Sequence, residues 1–247
     1  MVEYESVVYL DVQKTGSTFI EKFLQEHMTE KLVRIVKHGW ISDYTSDKYY
    51  FISSRGPLDQ YFSLFNFGCD HCGGLYERLA ANGYGYLYER SVSGFEAWLD
   101  FMLAPKNAAV IRAKGYDRVA NTIFGLVTFR FLALALPSGP KQLVDVKTRK
   151  DVVSVYRSKT RISATVRTEQ LNADLAELVR GPLSSKIRSV ESALSALRQV
   201  KKVNASNRKE EIEYGFSKEL IDRMQDREWF CYDIQGYSRA KEQLLKL

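Results

Sequence analysis

The residue types most suited to chemistry are concentrated in Lys14, Thr15, Gly16, Ser17 and Thr18, which follow the apolar run Val7-Val8-Tyr9-Leu10-Asp11-Val12. That run reads as a buried strand broken at Gln13, and Phe19, Ile20, Phe23 and Leu24 then recur at helical spacing. The order predicted is strand, tight loop, helix. Such a loop gathers backbone N–H groups and the positive end of a helix dipole at one place, and here a lysine and three hydroxyls are added. The ligand this suits is a bound phosphate or sulfate. The loop is not a Walker A motif, because Lys14 precedes its only glycine.

A second segment has the same order. Tyr49 to Ser54 is an aromatic and β-branched run that ends at Arg55-Gly56-Pro57. Pro57 fits the first turn of a helix, with Leu58, Tyr61, Phe62 and Phe65 on one face. Arg55 therefore sits at the carboxyl end of a strand, just ahead of that helix. Parallel pairing of the two strands would put Lys14 and Arg55 on the same sheet edge, where open α/β sheets bind their ligands.

The Lys-Thr-Gly-Ser-Thr loop after an apolar strand resembles the 5′-phosphosulfate loop of sulfotransferases that use 3′-phosphoadenosine 5′-phosphosulfate (PAPS). Gln13 stands where the usual form has proline, which would add a fixed φ and no donor. The Arg55 segment resembles the 3′-phosphate motif of the same family, with Arg55 matching its arginine and Ser63 its serine. Ser63 would lie roughly 9 Å along the helix from Pro57 at about 1.5 Å per residue, so a phosphate touching Arg55 and Ser63 must lie beside the helix.

The resemblance implies a P-loop-like three-layer α/β fold, with a central parallel sheet and helical additions, in a single domain spanning 1–247. It further implies an enzyme that moves a sulfuryl group from PAPS to an acceptor hydroxyl on a carbohydrate or glycolipid, with no metal. Lys14 and the amides of 15–18 would hold the 5′-phosphosulfate, and Arg55 and Ser63 the 3′-phosphate. His38-Gly39, between the two motifs, resembles a segment in which carbohydrate sulfotransferases carry a His or Glu as base, so His38 is the candidate base and Glu89 the reserve. Near the carboxyl end, Asn204-Ala205-Ser206 resembles the family loop that folds over the nucleotide, which marks Ser206 and Arg208 as further contacts. Arg161 to Leu175 and Trp229 to Ile234 resemble the sheet-completing and closing segments.

The elements around these motifs are expected to follow a simple plan. The first helix runs to about Met28, with His27 as a cation at its end, and Lys31 to Lys37 alternates Leu32, Val33, Ile35 and Val36 with basic residues as a short strand. Phe95 to Met102 mark a helix that stops at Pro105, and Asn121 to Leu136 mark a core helix. Lys141 to Lys159 read as a surface excursion, Ile187 to Val200 as an amphipathic helix, and Ser217 as the cap of a helix carrying Leu220, Ile221 and Met224.

Composition bounds the remaining readings. At 247 residues and 45% hydrophobic content the chain can bury a substantial core. A net charge of +6 suits an anionic ligand, and the scattered basic residues match no nucleic-acid motif. The amino terminus lacks the pattern of a signal peptide, the longest apolar stretch is short and broken by Arg130, and three cysteines make no disulfide framework, so a cytoplasmic setting without a transmembrane segment is expected. Cys69, His71 and Cys72 have the types of zinc ligands but lack a completing motif nearby. The competing functions are a nucleotide-dependent kinase of P-loop-like fold and a non-catalytic polyanion-binding protein.

Overall fold

The computed structural model describes residues 1–112, 115–119, 122–199 and 216–239, and the backbone of 213–214 and 245–246. In chain order the elements begin β1 (Val2–Tyr4), β2 (Val7–Leu10), α1 (Ser17–His27), β3 (Leu32–Ile35), β4 (Tyr49–Ser54), α2 (Pro57–Cys69), α3 (Gly74–Ala81) and α4 (Val92–Leu103). They continue with α5 (Ala108–Ile111), α6 (Leu126–Ala135), α7 (Arg149–Lys159), β5 (Ala164–Arg167), α8 (Leu171–Arg180) and α9 (Val190–Gln199). The last are β6 (Glu213–Tyr214), α10 (Lys218–Arg227), α11 (Trp229–Asp233) and β7 (Leu245–Lys246). Two compact units interleave along the chain: Met1–Arg55, Leu134–Gly139 and Tyr156–Asn207 form the first, and Gly56–Ala133, Pro140–Val155 and Arg208–Leu247 the second. No described helix is long and apolar enough to cross a membrane.

The first unit carries a five-stranded sheet in the order β3-β1-β2-β4-β5. β2, β4 and β5 are parallel, with Leu10 opposite Ile52 and Ile52 opposite Thr165. The sheet is mixed, however, and not the parallel sheet expected: β1 runs antiparallel to both β2 and β3. The reason is local. Only Glu5 and Ser6 separate β1 from β2, and a two-residue link can close an antiparallel hairpin but not a parallel crossover. Since β1 alone is reversed, the carboxyl ends of β3, β2, β4 and β5 all lie on one edge of the sheet.

One face of this sheet is buried against α1, α8 and α9. Val7, Tyr9, Phe51 and Val166 pack with Ile20, Phe23 and Leu24 of α1, Leu175 and Val179 of α8, and Ala193 and Leu197 of α9. The rings of Tyr9 and Phe51 stack at 5.0 Å. Each such side chain contributes about 1.5–3 kcal/mol on burial, so the strand that ends at the Lys14 loop is anchored before the loop begins. α9 starts at Val190 rather than Ile187, because Ile187 forms an isolated antiparallel bridge with Met28.

The second unit is helical, with an aromatic interior. Phe62 meets Phe95 edge-on at 5.4 Å, and Tyr61 meets Trp98 edge-on at 6.1 Å. The expected helix over Asn121 to Leu136 is shorter, Leu126–Ala135, because Gly125 N donates to Arg227 O at 2.6 Å and Glu228 takes the first helical amides. The expected surface excursion over Lys141 to Lys159 instead contains α7. Thr148 and Asp151 start that helix reciprocally: Thr148 Oγ1 accepts from Asp151 N at 3.2 Å, and Asp151 Oδ2 accepts from Thr148 N at 2.8 Å.

Candidate functional site

The loop between β2 and α1 is held in an uncommon backbone conformation. Lys14 has φ 64° and Gly16 has φ 79°, both in the left-handed region. A non-glycine residue there costs roughly 1–2 kcal/mol, and at Gly16 the missing Cβ removes that cost. Gly16 is the N-cap of α1, and no side chain caps the helix, so its first amides are not consumed by a cap. The carbonyl of Gly16 accepts from Phe19 N and Ile20 N at 3.0 and 3.1 Å, which fixes where α1 begins.

Four oxygens pin this loop to β4. Thr15 Oγ1 donates to Val12 O at 2.7 Å and lies 2.6 Å from Ser53 Oγ, which is itself 2.8 Å from Tyr9 Oη. A hydroxyl has one proton, and Thr15 spends its proton on Val12, so Ser53 must donate to Thr15 and Tyr9 to Ser53. Burial pushes the Tyr9 phenol well above its ordinary pKa, which keeps it a donor. Thr15, expected to offer its hydroxyl to an anion, is fully buried and uses it to shape the loop. The side chain of Ser17 is largely buried, that of Thr18 exposed and that of Lys14 half-buried.

Ser53→Ala is expected to destabilise the protein by about 1–3 kcal/mol, since it strips Tyr9 of an acceptor and Thr15 of a donor. Urea denaturation measures this, and the added change Tyr9→Phe should recover part of the loss by removing the orphaned hydroxyl. A Ser53→Ala variant as stable as wild type would mean the hydroxyl chain contributes nothing to the loop.

Arg55 follows β4 directly. Its Nη1 donates to Lys14 O at 3.4 Å, which brings the two expected phosphate-binding cations together across 41 positions of sequence. Ser63, its expected partner, is half-buried on α2 and belongs to the second unit, as does Glu89, which is exposed. Ser206 and Arg208 lie outside the described residues. At the end of β5, Arg167 N donates to Asp174 Oδ2 at 2.7 Å and Thr168 Oγ1 to Ser54 O at 3.0 Å, so the third parallel strand is tied to the same edge.

His38 is held by Asp11, a residue that the motifs did not single out. Both Asp11 carboxylate oxygens accept from His38 N, at 3.0 and 3.1 Å, and His38 Nδ1 lies 2.7 Å from Asp11 O and 3.3 Å from Asp11 Oδ2. Both Asp11 oxygens near Nδ1 are acceptors, an arrangement that suits a proton on Nδ1 and leaves the acceptor role to Nε2. Asp11 is fully buried; it also bonds the nitrogen of Met1 and lies 3.9 Å from Lys37 Nζ. His38 itself has φ 51°, a second strained residue at this edge. Asp11 was legible as an acid at the end of an apolar strand, and Ser53 only as the end of one.

The cysteine segment does not gather. His71 stacks on Tyr76 at 4.9 Å, Cys72 is exposed, and burial raises the Cys69 thiol to about 11. Among the described residues no three His, Cys, Asp or Glu side chains are grouped to hold a metal ion.

The class this defines is an α/β protein whose five-stranded mixed sheet carries a strained, cation-bearing loop at a helix N-terminus on its carboxyl edge. No family model, curated protein or solved structure matches the chain.

Proposed function

We propose that this protein is a PAPS-dependent sulfotransferase acting on an acceptor hydroxyl of a carbohydrate or glycolipid. The observation that carries the reading is the convergence of Lys14, Arg55 and His38 from three strand ends onto one sheet edge, beside an uncapped helix N-terminus. This donor set fits a nucleotide with separate 5′ and 3′ anionic groups. Lys14 and the amides of 15–18 would hold the first, and Arg55 the second.

When bound, PAPS supplies an activated sulfuryl group. The acceptor O–H is lost as an O–S bond forms and the bond from sulfur to the bridging phosphate oxygen breaks. His38 Nε2 takes the acceptor proton, and Lys14 neutralises the charge that grows on the departing phosphate oxygen. Asp11 is a positioning residue: it fixes the tautomer of His38 through Nδ1. The reading sets the protein in the cytoplasm, where Cys69, Cys72 and Cys231, all free thiols, stay reduced.

Calorimetric titration with adenosine 3′,5′-bisphosphate, ATP and AMP tests the reading, with Arg55→Ala in parallel. The bisphosphate should bind best without magnesium and lose about 10- to 100-fold in the variant, the worth of a hydrogen-bonded charge. Equal binding of all three nucleotides would overturn the reading, and magnesium-dependent preference for ATP would replace it with a kinase. His38→Ala should bind the bisphosphate as wild type does yet lose about 10²- to 10⁴-fold in turnover. Wild-type turnover in that variant would end the base assignment.

A further inference from the structure

The second unit encloses donors that no acceptor among the described residues answers. Arg130, on α6, is only 8% exposed, and its Nη1 has no hydrogen-bond partner among the described residues. Tyr88 Oη and Trp98 Nε1, both buried, are in the same position. These groups are neighbours. The ring of Trp98 lies 5.9 Å from that of Tyr88 and 6.1 Å from that of Tyr61, while Arg130 is in electrostatic contact with Tyr61, Arg78, Tyr88 and Glu228. The indole sits beside the Tyr88 hydroxyl closely enough to favour its ionised form, though neither group completes a hydrogen bond among the described residues.

Arg130 is also a buried charge. Burial lowers Arg130 to about 10 and also lowers Arg78, whose charge Glu77 partly offsets, and both guanidiniums remain protonated at neutral pH. The carboxylate that reaches Arg130 is Glu228, and its oxygens are already engaged: Oε1 accepts from Tyr61 Oη and Val127 N, and Oε2 from Thr128 N. Water can satisfy an N–H but cannot neutralise a buried cation, and an uncompensated buried charge is among the costliest features a fold can hold.

We propose that Arg130, Tyr88 and Trp98 form a binding site for a small oxyanion, a carboxylate or sulfate group, with half-buried Arg78 at its outer edge. Arg130 supplies charge and an unanswered N–H; Tyr88 and Trp98 supply one donor each, and the aromatic walls exclude competing water. The site lies wholly within the second unit and does not depend on the nucleotide reading.

The test uses the full chain labelled with ¹⁵N. Its three tryptophans give three indole signals, and Trp98→Phe identifies that of Trp98. Sodium formate and sodium sulfate are titrated separately, with sodium fluoride holding ionic strength constant, so that the planar and tetrahedral anions are compared. The Trp98 signal should shift saturably, with binding at least about tenfold weaker in Arg130→Met and partly kept in Arg130→Lys, as expected for a charge-assisted hydrogen bond. If Arg130→Met does not fold, Tyr88→Phe removes one donor, keeps the Trp98 signal and should weaken binding several-fold.

A site filled during expression would not titrate, so dialysed protein is also denatured and the released anion measured by ion chromatography, with one equivalent expected. A shift that never saturates, together with no released anion, would overturn the proposal and leave water on these donors.

Discussion

Under the proposed sulfuryl transfer, Lys14→Ala should lower turnover by a factor on the order of 10²–10³ at saturating PAPS, the loss typical of one preorganised donor at a developing negative charge. The substitution is clean because alanine also carries a Cβ, so the left-handed backbone at this position is equally strained in both proteins. Lys14→Gly separates strain from charge. It should be as inactive as Lys14→Ala but more stable than wild type by about 0.5–1 kcal/mol, because glycine adopts φ 64° without penalty, an effect partly offset by its more flexible unfolded chain. That opposition is the expected signature of a loop whose conformation serves a ligand at the expense of stability. Consumption of PAPS and urea denaturation measure the two effects. Wild-type turnover in Lys14→Ala would remove Lys14 from the chemistry, and a destabilised Lys14→Gly would mean that its strain is not real.

How far the sequence discloses this arrangement differs from element to element. β2 and β4 were legible as short apolar runs, and α1 and α2 by their helical period and start signals, Gly16 before α1 and Pro57 at the start of α2. That Lys14 and Arg55 share an edge followed from parallel pairing of two strands, and the Arg55–Lys14 bond is the local result. β1 was not legible, since three residues carry no period; its pairing depends on the two-residue link to β2 and on burial of Val2 and Tyr4 in the core. α7 was legible in principle through Thr148-x-x-Asp151, but the charged residues around the capping pair obscured it. Within the site, residue type alone misassigned the Thr15 hydroxyl. Whether a hydroxyl serves a ligand or its own loop depends on which residue of β4 stands opposite, and Ser53 is set there by strand register rather than by anything near Thr15 in sequence. Asp11 was missed for a similar reason, because its partner His38 arrives from the end of β3, 27 residues away.

The largest effect on stability is expected in the second unit, at Glu228. This carboxylate is fully buried and accepts from Tyr61 Oη, from Val127 N at 3.1 Å and from Thr128 N at 2.7 Å. Two of those donors are first-turn amides of α6, so Glu228 satisfies the helix N-terminus and meets the positive end of its dipole. Burial, followed by the charge of Glu228, pushes the Tyr61 phenol well above its ordinary pKa, which keeps it a donor to the carboxylate. Gly125 belongs to the same arrangement, because a Cβ there would collide with the carboxylate. Glu228→Ala orphans three buried donors and opens a cavity, and should cost about 3–5 kcal/mol. In a chain of this length that lowers Tm by about 10 °C or more. Glu228→Gln keeps one acceptor oxygen and the volume, so its loss should be smaller, about 1–3 kcal/mol. The indole signals of Trp98 and Trp229 report the second unit and that of Trp40 the first, so the variant also reveals which unit loses structure. A Glu228→Ala protein within about 1 kcal/mol of wild type would mean that water replaces the carboxylate at all three donors, and that α6 needs no protein cap.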